Sequence, residues 1–179
     1  MIRLFVGIQI PENASNQLIL IQNGLPEARW VAPDNMHITL RFIGEVDENV
    51  AEDLAKALEV VRVQPYALSL VGVGTFGRPP HSLWAGVKDH PQGTLTDLHR
   101  TIDGVLIRAG LEPEHRKYQP HVTLARFRRG AVSQFRFADY LEAHADLKVE
   151  TFEGLGFTLF ESVITHRGPM YNPLIKYHN

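Results

Sequence analysis

Two short motifs of the same pattern, His37-Ile38-Thr39-Leu40 and His121-Val122-Thr123-Leu124, carry the chemistry that this sequence suggests. An imidazole exchanges a proton near neutral pH, and a hydroxyl donates a hydrogen bond to an oxyanion. Both motifs lie in apolar runs typical of β-strands, where positions i and i+2 share one face. Each motif therefore presents an imidazole and a hydroxyl together on one side of its strand.

The repetition of this tetrad is rare by chance. For a chain of this composition, about 0.05 His-x-Thr-Leu tetrads are expected at random, whereas two occur. A third triplet, His99-Arg100-Thr101, lies in a predicted helix, where positions i and i+2 point to nearly opposite sides, and it is set aside. One such motif is explained about equally well by a strand whose polar face meets water. Two matching motifs favour a shared function.

The tetrads belong to a longer internal repeat. Leu4–Ile8 resembles Leu83–Val87 at an offset of 79 residues, and the two tetrads are 84 residues apart. Gly72–Gly74 resembles Gly154–Gly156 at an offset of 82 residues. Three anchors in the same order predict a duplicated unit with two pseudo-symmetric lobes. Such symmetry would bring the two tetrads face to face.

The elements that position the tetrads follow from hydrophobic periodicity and from turn residues. Strands are predicted over Leu4–Ile10, Tyr66–Phe76, Ser82–Lys88, Lys148–Phe160 and Ser162–Ile164. Helices are predicted over Asn13–Asn23, from Asp47 to about Val61, over Thr94–Ala109 and over Ser133–His144. This mixture of strands and helices predicts an α+β fold.

Composition narrows the class of protein further. The length of 179 residues predicts one domain, 1–179, made of two interlocked lobes. Eighteen Lys and Arg residues against 20 Asp and Glu residues argue against a protein that coats long stretches of nucleic acid, but they allow a local basic patch. The absence of cysteine excludes disulfides, thiolate metal sites and cysteine nucleophiles.

The apolar N-terminal stretch Met1–Ile10 is followed by Pro11-Glu12-Asn13, where a signal peptide would have small residues at a cleavage site. It is also too short to cross a bilayer. We therefore expect a first β-strand here, and a cytoplasmic protein without contact to the membrane.

With both tetrads in place, the sequence resembles the 2H phosphoesterases and, within them, the RNA 2′,3′-cyclic phosphodiesterases once named 2′-5′ RNA ligases. The resemblance spans nearly the whole chain, although residues 133–147 match nothing in it. The matching stretches are Arg3–Val6, Trp30-Val31, Asn35–Gly44, Gly74–Phe76, Pro120–Arg126, Leu159–Ser162 and Gly168–Tyr171.

The resemblance implies antiparallel sheets that line a central cleft between the two lobes, with helices outside. It implies hydrolysis of an RNA-terminal 2′,3′-cyclic phosphate to a 2′-phosphomonoester, and beside it a reversible 2′-5′ RNA ligation. No metal or other cofactor is implied, and the expected partners are RNA ends or nucleotides bearing the cyclic phosphate, bound by a monomer. By family convention His37 is the proton donor and His121 the acceptor, whereas the residues alone leave the two interchangeable. The Thr39 and Thr123 hydroxyls would bind non-bridging phosphate oxygens.

Arg126 matches a phosphate-binding position of the same family. Strict alternation from His121 places it on the opposite face, so a β-bulge or the strand end must redirect it. Alternation also places Arg41 on the face of the first tetrad's imidazole and turns Phe42 into the core. Other basic residues near the second tetrad suit either an anionic substrate or a solvated loop about equally: Arg116, Lys117, Arg128 and Arg129.

Other sites are less well supported by the sequence. Five aromatic residues could stack on a terminal base, although strand aromatics belong more often to the core: Trp30, Phe42, Phe76, Trp84 and Tyr171. The remaining histidines show no zinc-ligand spacing, and no helix follows Gly72–Gly74 as a phosphate loop requires.

Two other functions stay open. One is a non-catalytic module that binds nucleotides or RNA ends. The other is the same chemistry on another cyclic phosphate or on a 2′-5′ oligonucleotide.

Overall fold

The chain alternates strands with helices in a computed structural model that describes residues 1–166 and 168–178. The helices are α1 (Glu12–Ile19), α2 (Glu48–Leu58), α3 (Thr94–Arg108) and α4 (Gln134–Ala143), and a short 3₁₀ turn covers Pro33–Asn35. The strands are β1 (Ile2–Gln9), β2 (Arg29–Trp30), β3 (His37–Val46), β4 (Tyr66–Phe76), β5 (Ser82–His90), β6 (His121–Arg126), β7 (Lys148–Gly154), β8 (Gly156–Thr165) and β9 (Gly168–His178).

The predicted α+β class is confirmed, and the differences lie mainly at the C-terminal end. The single strand predicted over Lys148–Phe160 is two strands, because β7 ends at Gly154 and pairs with β4, whereas β8 pairs with β1. Strand β9 was not predicted as a strand, since its prolines at 169 and 173 obscure the alternation. The first helix ends at Ile19, four residues before the predicted end.

The described strands form one antiparallel sheet in the order β7-β4-β5-β6-β3-β1-β8-β9, with β2 also paired to β6. This order has the predicted twofold repetition, since β6, β5, β4 and β7 follow one another outward on one side as β3, β1, β8 and β9 do on the other. The two halves meet between β3 and β6, where Ile38 is the Cα partner of Val122. The sheet is curled like half of a barrel, and we call the face that carries the two tetrads the cleft.

One anchor of the predicted repeat has a different partner. Phe5 faces Phe160, whereas its counterpart Trp84 faces Gly74. The counterpart of Gly74 is therefore Phe160, an offset of 86 residues, and the predicted match of Gly72–Gly74 with Gly154–Gly156 is wrong. The two halves fill this position differently, with two aromatic rings in one half and an indole facing a glycine in the other. Phe5 stacks on Phe160 at 4.9 Å between ring centroids, whereas a Cβ atom at Gly74 would come within 2.3 Å of the Trp84 indole.

The helices cover the other face of the sheet and enclose the core. The predicted apolar stripe of α3 is buried in full, at Leu95, Leu98, Ile102, Val105 and Leu106. In α2, Leu54 and Leu58 are buried but Val50 is 40% exposed. None of the described helices combines the length and the apolar character that a membrane span requires.

Candidate active site

The two tetrads lie side by side where the halves of the sheet meet. Strands β3 and β6 are antiparallel, and Ile38 pairs with Val122, the second residue of each tetrad. His37 therefore lies beside Thr123, and Thr39 beside His121. All four side chains are half-buried. The structure thus brings together the two imidazoles and two hydroxyls that the sequence singled out.

A backbone carbonyl fixes the orientation of each imidazole. The Nδ1 atom of His37 lies 2.7 Å from the carbonyl oxygen of Asn35, and Nδ1 of His121 lies 2.7 Å from that of Gln119. A carbonyl only accepts, so Nδ1 carries the proton in both neutral rings. Nε2 is then the basic atom of each ring. Each acceptor lies two residues before its histidine, so the two halves of the repeat give their imidazoles the same tautomer.

Aromatic rings pack against both imidazoles. His37 lies 4.8 Å from Phe5 and 4.9 Å from the edge-on ring of Tyr171, measured between centroids. His121 meets the edge-on ring of Phe76 at 4.8 Å. These rings displace water from the imidazoles, so most of the aromatic residues considered for base stacking instead form the walls around the histidines.

Burial makes both imidazoles harder to protonate. It lowers the pKa of His37 to about 4, with smaller contributions from the positive charges of His121 and Arg126, while the Asn35 carbonyl opposes the shift. The pKa of His121 is lowered by the same burial and by Arg126, against the Gln119 carbonyl. Both rings are therefore neutral at pH 7 when the cleft is empty. The positive charge of Arg126 therefore acts on both rings.

A β-bulge brings Arg126 to this face. Along β5, Trp84 pairs with Thr123 and Leu83 pairs with Ala125, so Leu124 is an extra residue in β6. Leu124 and Ala125 are consequently both buried, and Arg126 is exposed on the side of Thr123. The bulge therefore explains why Arg126 lies on the face of His121, although strict alternation places it on the opposite face.

The first tetrad contains the same bulge, which overturns two predictions. Along β1, Gly7 pairs with Thr39 and Val6 pairs with Arg41, so Leu40 is the extra residue of β3. Arg41 was expected on the face of the imidazole but turns to the helix side, where it is only 7% exposed. Phe42 was expected in the core but is 48% exposed on the cleft side.

Groups beneath the sheet hold these bulges, and the sequence patterns did not reveal them. His99 Nδ1 lies 2.7 Å from the Leu40 carbonyl oxygen, which the bulge leaves outside the ladder. In the other half, the Leu124 carbonyl accepts from the Gln22 side chain at 3.3 Å. Arg41 donates to Asp103 and to the Glu112 carbonyl. A polar residue within an apolar stripe, such as His99 among the buried residues of α3, is the signal that could have identified the support of the first bulge.

The basic stretch around the second tetrad divides into two groups. Arg116 forms an ion pair of 2.9 Å with Glu114, as expected for a solvated charged loop. Among the described residues, no carboxylate lies within ion-pair distance of Lys117, Arg126, Arg128 or Arg129. Across residues 1–166 and 168–178, no three His, Asp or Glu side chains are grouped so that they could hold a metal ion.

Comparison with known proteins agrees with this geometry. The chain matches the family model described as LigT like phosphoesterase over residues 8–84 and 86–171. It is 35% identical over 159 residues to an RNA 2′,3′-cyclic phosphodiesterase of Aeropyrum pernix, covering 88% of this chain and 89% of the relative. A protein of the same name from Archaeoglobus fulgidus is 31% identical over 177 residues, covering 96% and 97%. The crystal structure of E. coli LigT complexed with 3′-AMP superimposes with a TM-score of 0.81 at 27% identity, covering 99% of this chain and 97% of LigT.

Proposed function

The chain belongs to the LigT-like phosphoesterases, and on this basis we propose that it hydrolyses the 2′,3′-cyclic phosphate at the end of an RNA chain to a 2′-phosphomonoester. The observation that carries the proposal is the matched pair of imidazoles. His37 and His121 come from equivalent strands, and both have Nδ1 bound to a carbonyl. They also share the electrostatic influence of Arg126.

Two imidazoles meet the proton requirements of this reaction. The Nε2 atom of one ring takes a proton from water as the water oxygen forms its bond to phosphorus. The other ring, protonated, gives its Nε2 proton to the 3′ oxygen as the bond between phosphorus and that oxygen breaks. The attacking and departing oxygens lie roughly in line across phosphorus. Imidazoles contributed from opposite sides of the cleft suit this arrangement.

Negative charge on the non-bridging oxygens needs separate stabilisation. We assign this role to the Thr39 and Thr123 hydroxyls and to the Arg126 guanidinium. Hydroxyls and a guanidinium are donors that are already oriented before the charge develops, and the surrounding aromatic rings exclude the water that would weaken their interaction.

The family convention makes His37 the donor and His121 the acceptor. In the empty cleft the pKa of His37 is about 4, so a donor at this position must gain its proton as the substrate binds. The cyclic phosphate supplies the reason, because an anion close to an imidazole stabilises its protonated form and raises its pKa. The low pKa of the empty site is therefore compatible with a donor that is protonated only in the complex.

The test is turnover of nucleoside 2′,3′-cyclic phosphates and of oligoribonucleotides ending in a cyclic phosphate, in the presence of EDTA. We expect the 2′-monoester as product, and a loss of about 10²–10⁴-fold for His37→Ala and for His121→Ala. His115→Ala, which replaces an exposed histidine, is the matched control.

Near-normal turnover by either active-site variant would refute the assignment of two catalytic imidazoles. Binding without turnover would instead make the protein a nucleotide-binding module, and loss of activity in EDTA would indicate a metal enzyme. The monomeric state, the single domain over 1–179 and the cytoplasmic location stay predictions from the sequence.

A further inference from the structure

A second arginine lies directly beside Arg126. In the short ladder between β2 and β6, Arg29 is the Cα partner of Arg126, and Trp30 is the partner of Ala125. Residues directly opposite each other in an antiparallel pair project from the same face of the sheet. Arg29 therefore projects, like Arg126, towards the side that carries the two imidazoles. Both arginines are exposed.

This pair is unfavourable for the fold alone. Like charges directly opposite each other destabilise a strand pair. Among the described residues, neither Arg29 nor Arg126 has an Asp or Glu partner, and the partner of Arg126 on its other side, in β5, is the neutral Ser82. A bound anion would relieve this repulsion.

The number of charges indicates which anion. A cyclic phosphodiester carries one negative charge, and Arg126 already lies close enough to affect both imidazoles. Arg29 stands on the neighbouring strand, about 4.8 Å further across the sheet. In an RNA chain, the next negative charge is the phosphodiester on the 5′ side of the terminal nucleotide.

We propose that Arg29 binds this upstream phosphate, so that the protein acts more efficiently on a cyclic-phosphate-ended RNA chain than on a single nucleoside cyclic phosphate. The inference rests on the proposed function and adds a residue that selects the substrate class. Three more arginines without a carboxylate partner among the described residues flank these strands in sequence: Arg78 precedes β5, and Arg128 and Arg129 follow β6.

The experiment compares kcat/KM for three substrates: a nucleoside 2′,3′-cyclic phosphate, the same nucleoside with an added 5′-phosphate, and a dinucleotide ending in the cyclic phosphate. In the unmodified protein we expect the second and third to exceed the first. Arg29→Ala should lower their kcat/KM about tenfold, the loss of one charge-assisted contact, and leave the first within about twofold. The salt dependence of binding for the dinucleotide product should become shallower by about 0.7 in log–log slope.

Arg100→Ala is the matched control, because it also removes one positive charge but from the exposed face of α3. An equal loss on all three substrates would overturn the inference and place Arg29 on the reacting phosphate. No loss on any of the three substrates would show that Arg29 does not bind the substrate. Absence of turnover on every substrate by the unmodified protein would instead refute the proposed function, so the two failures are distinguishable.

Discussion

Ile38 and Val122 face each other across the joint between β3 and β6, and each is the counterpart of the other in the internal repeat. A residue that pairs with its own counterpart in an antiparallel ladder marks a local twofold axis. Imidazoles related by this axis are placed to approach the proposed phosphate from opposite sides. The symmetry explains why both rings have the same tautomer, whereas the difference in their surroundings allows the separate roles that we propose.

The separate roles lead to a first prediction, which uses a substrate whose departing 3′ oxygen is replaced by sulfur. A thiolate leaves without needing a proton, because its conjugate acid is far stronger than that of an alkoxide. If His37 is the donor, His37→Ala should lose most of its defect on this substrate, whereas His121→Ala should keep its loss of about 10²–10⁴-fold. Single-turnover rates on the oxygen and sulfur substrates measure the two ratios.

The opposite pattern, with recovery confined to His121→Ala, would exchange the two roles. Recovery in both variants or in neither would contradict a division into one donor and one acceptor. Circular dichroism and thermal unfolding of each variant provide the control for folding.

The pH dependence of the reaction provides a second prediction. In the free protein both imidazole pKa values lie below 6.5, and that of His37 is about 4. The reactive form carries one proton on the pair, so kcat/KM should be greatest between the two apparent values and should fall as the pH rises towards neutrality. A bound anion raises these pKa values, so the falling limb of kcat should lie at higher pH than that of kcat/KM. Complete profiles on one cyclic phosphate test this, and limbs at the same pH would contradict it.

Arg126 is the subject of a third prediction. Its positive charge lowers the pKa of both imidazoles, so Arg126→Ala should raise the pKa of His37 and of His121, measured from the ring Cε1–H signals in NMR titrations. The same variant should lose about 10²–10³-fold in kcat, as for removal of one donor to the transition state. Arg100→Ala should move neither pKa value. A shift confined to one ring would contradict an electrostatic influence of Arg126 on both histidines.

The bulges explain which parts of this site could be predicted from the sequence. The tetrads were identifiable because His37 and Thr39 lie two positions apart in a strand, before the alternation changes. Arg41 and Phe42 were assigned to the wrong faces because a leucine at the bulge position looks like any core leucine. For Arg126 the family resemblance supplied the residue, while the pairing of β5 with β6 supplied the reason for its orientation. The two carbonyls that fix the tautomers depend on backbone conformation, which residue types alone do not determine.

The ion pair between Arg41 and the half-buried Asp103 leads to the last prediction. Arg41 is 7% exposed and donates to the Asp103 carboxylate and to the Phe42 and Glu112 carbonyls. Arg41→Ala leaves the carboxylate without its partner, so we expect a loss of about 1.5–3 kcal/mol in the free energy of unfolding, as for hydrogen bonds to a charged group. Removing both charges in Arg41→Ala/Asp103→Ala should restore part of that loss, because Glu114, the second carboxylate near Arg41 at 3.9 Å, keeps its ion pair with Arg116. Urea unfolding of the three proteins measures the difference. A double variant no more stable than the single one would mean that Arg41 stabilises the fold through its hydrogen bonds to the Phe42 and Glu112 carbonyls and not through the ion pair.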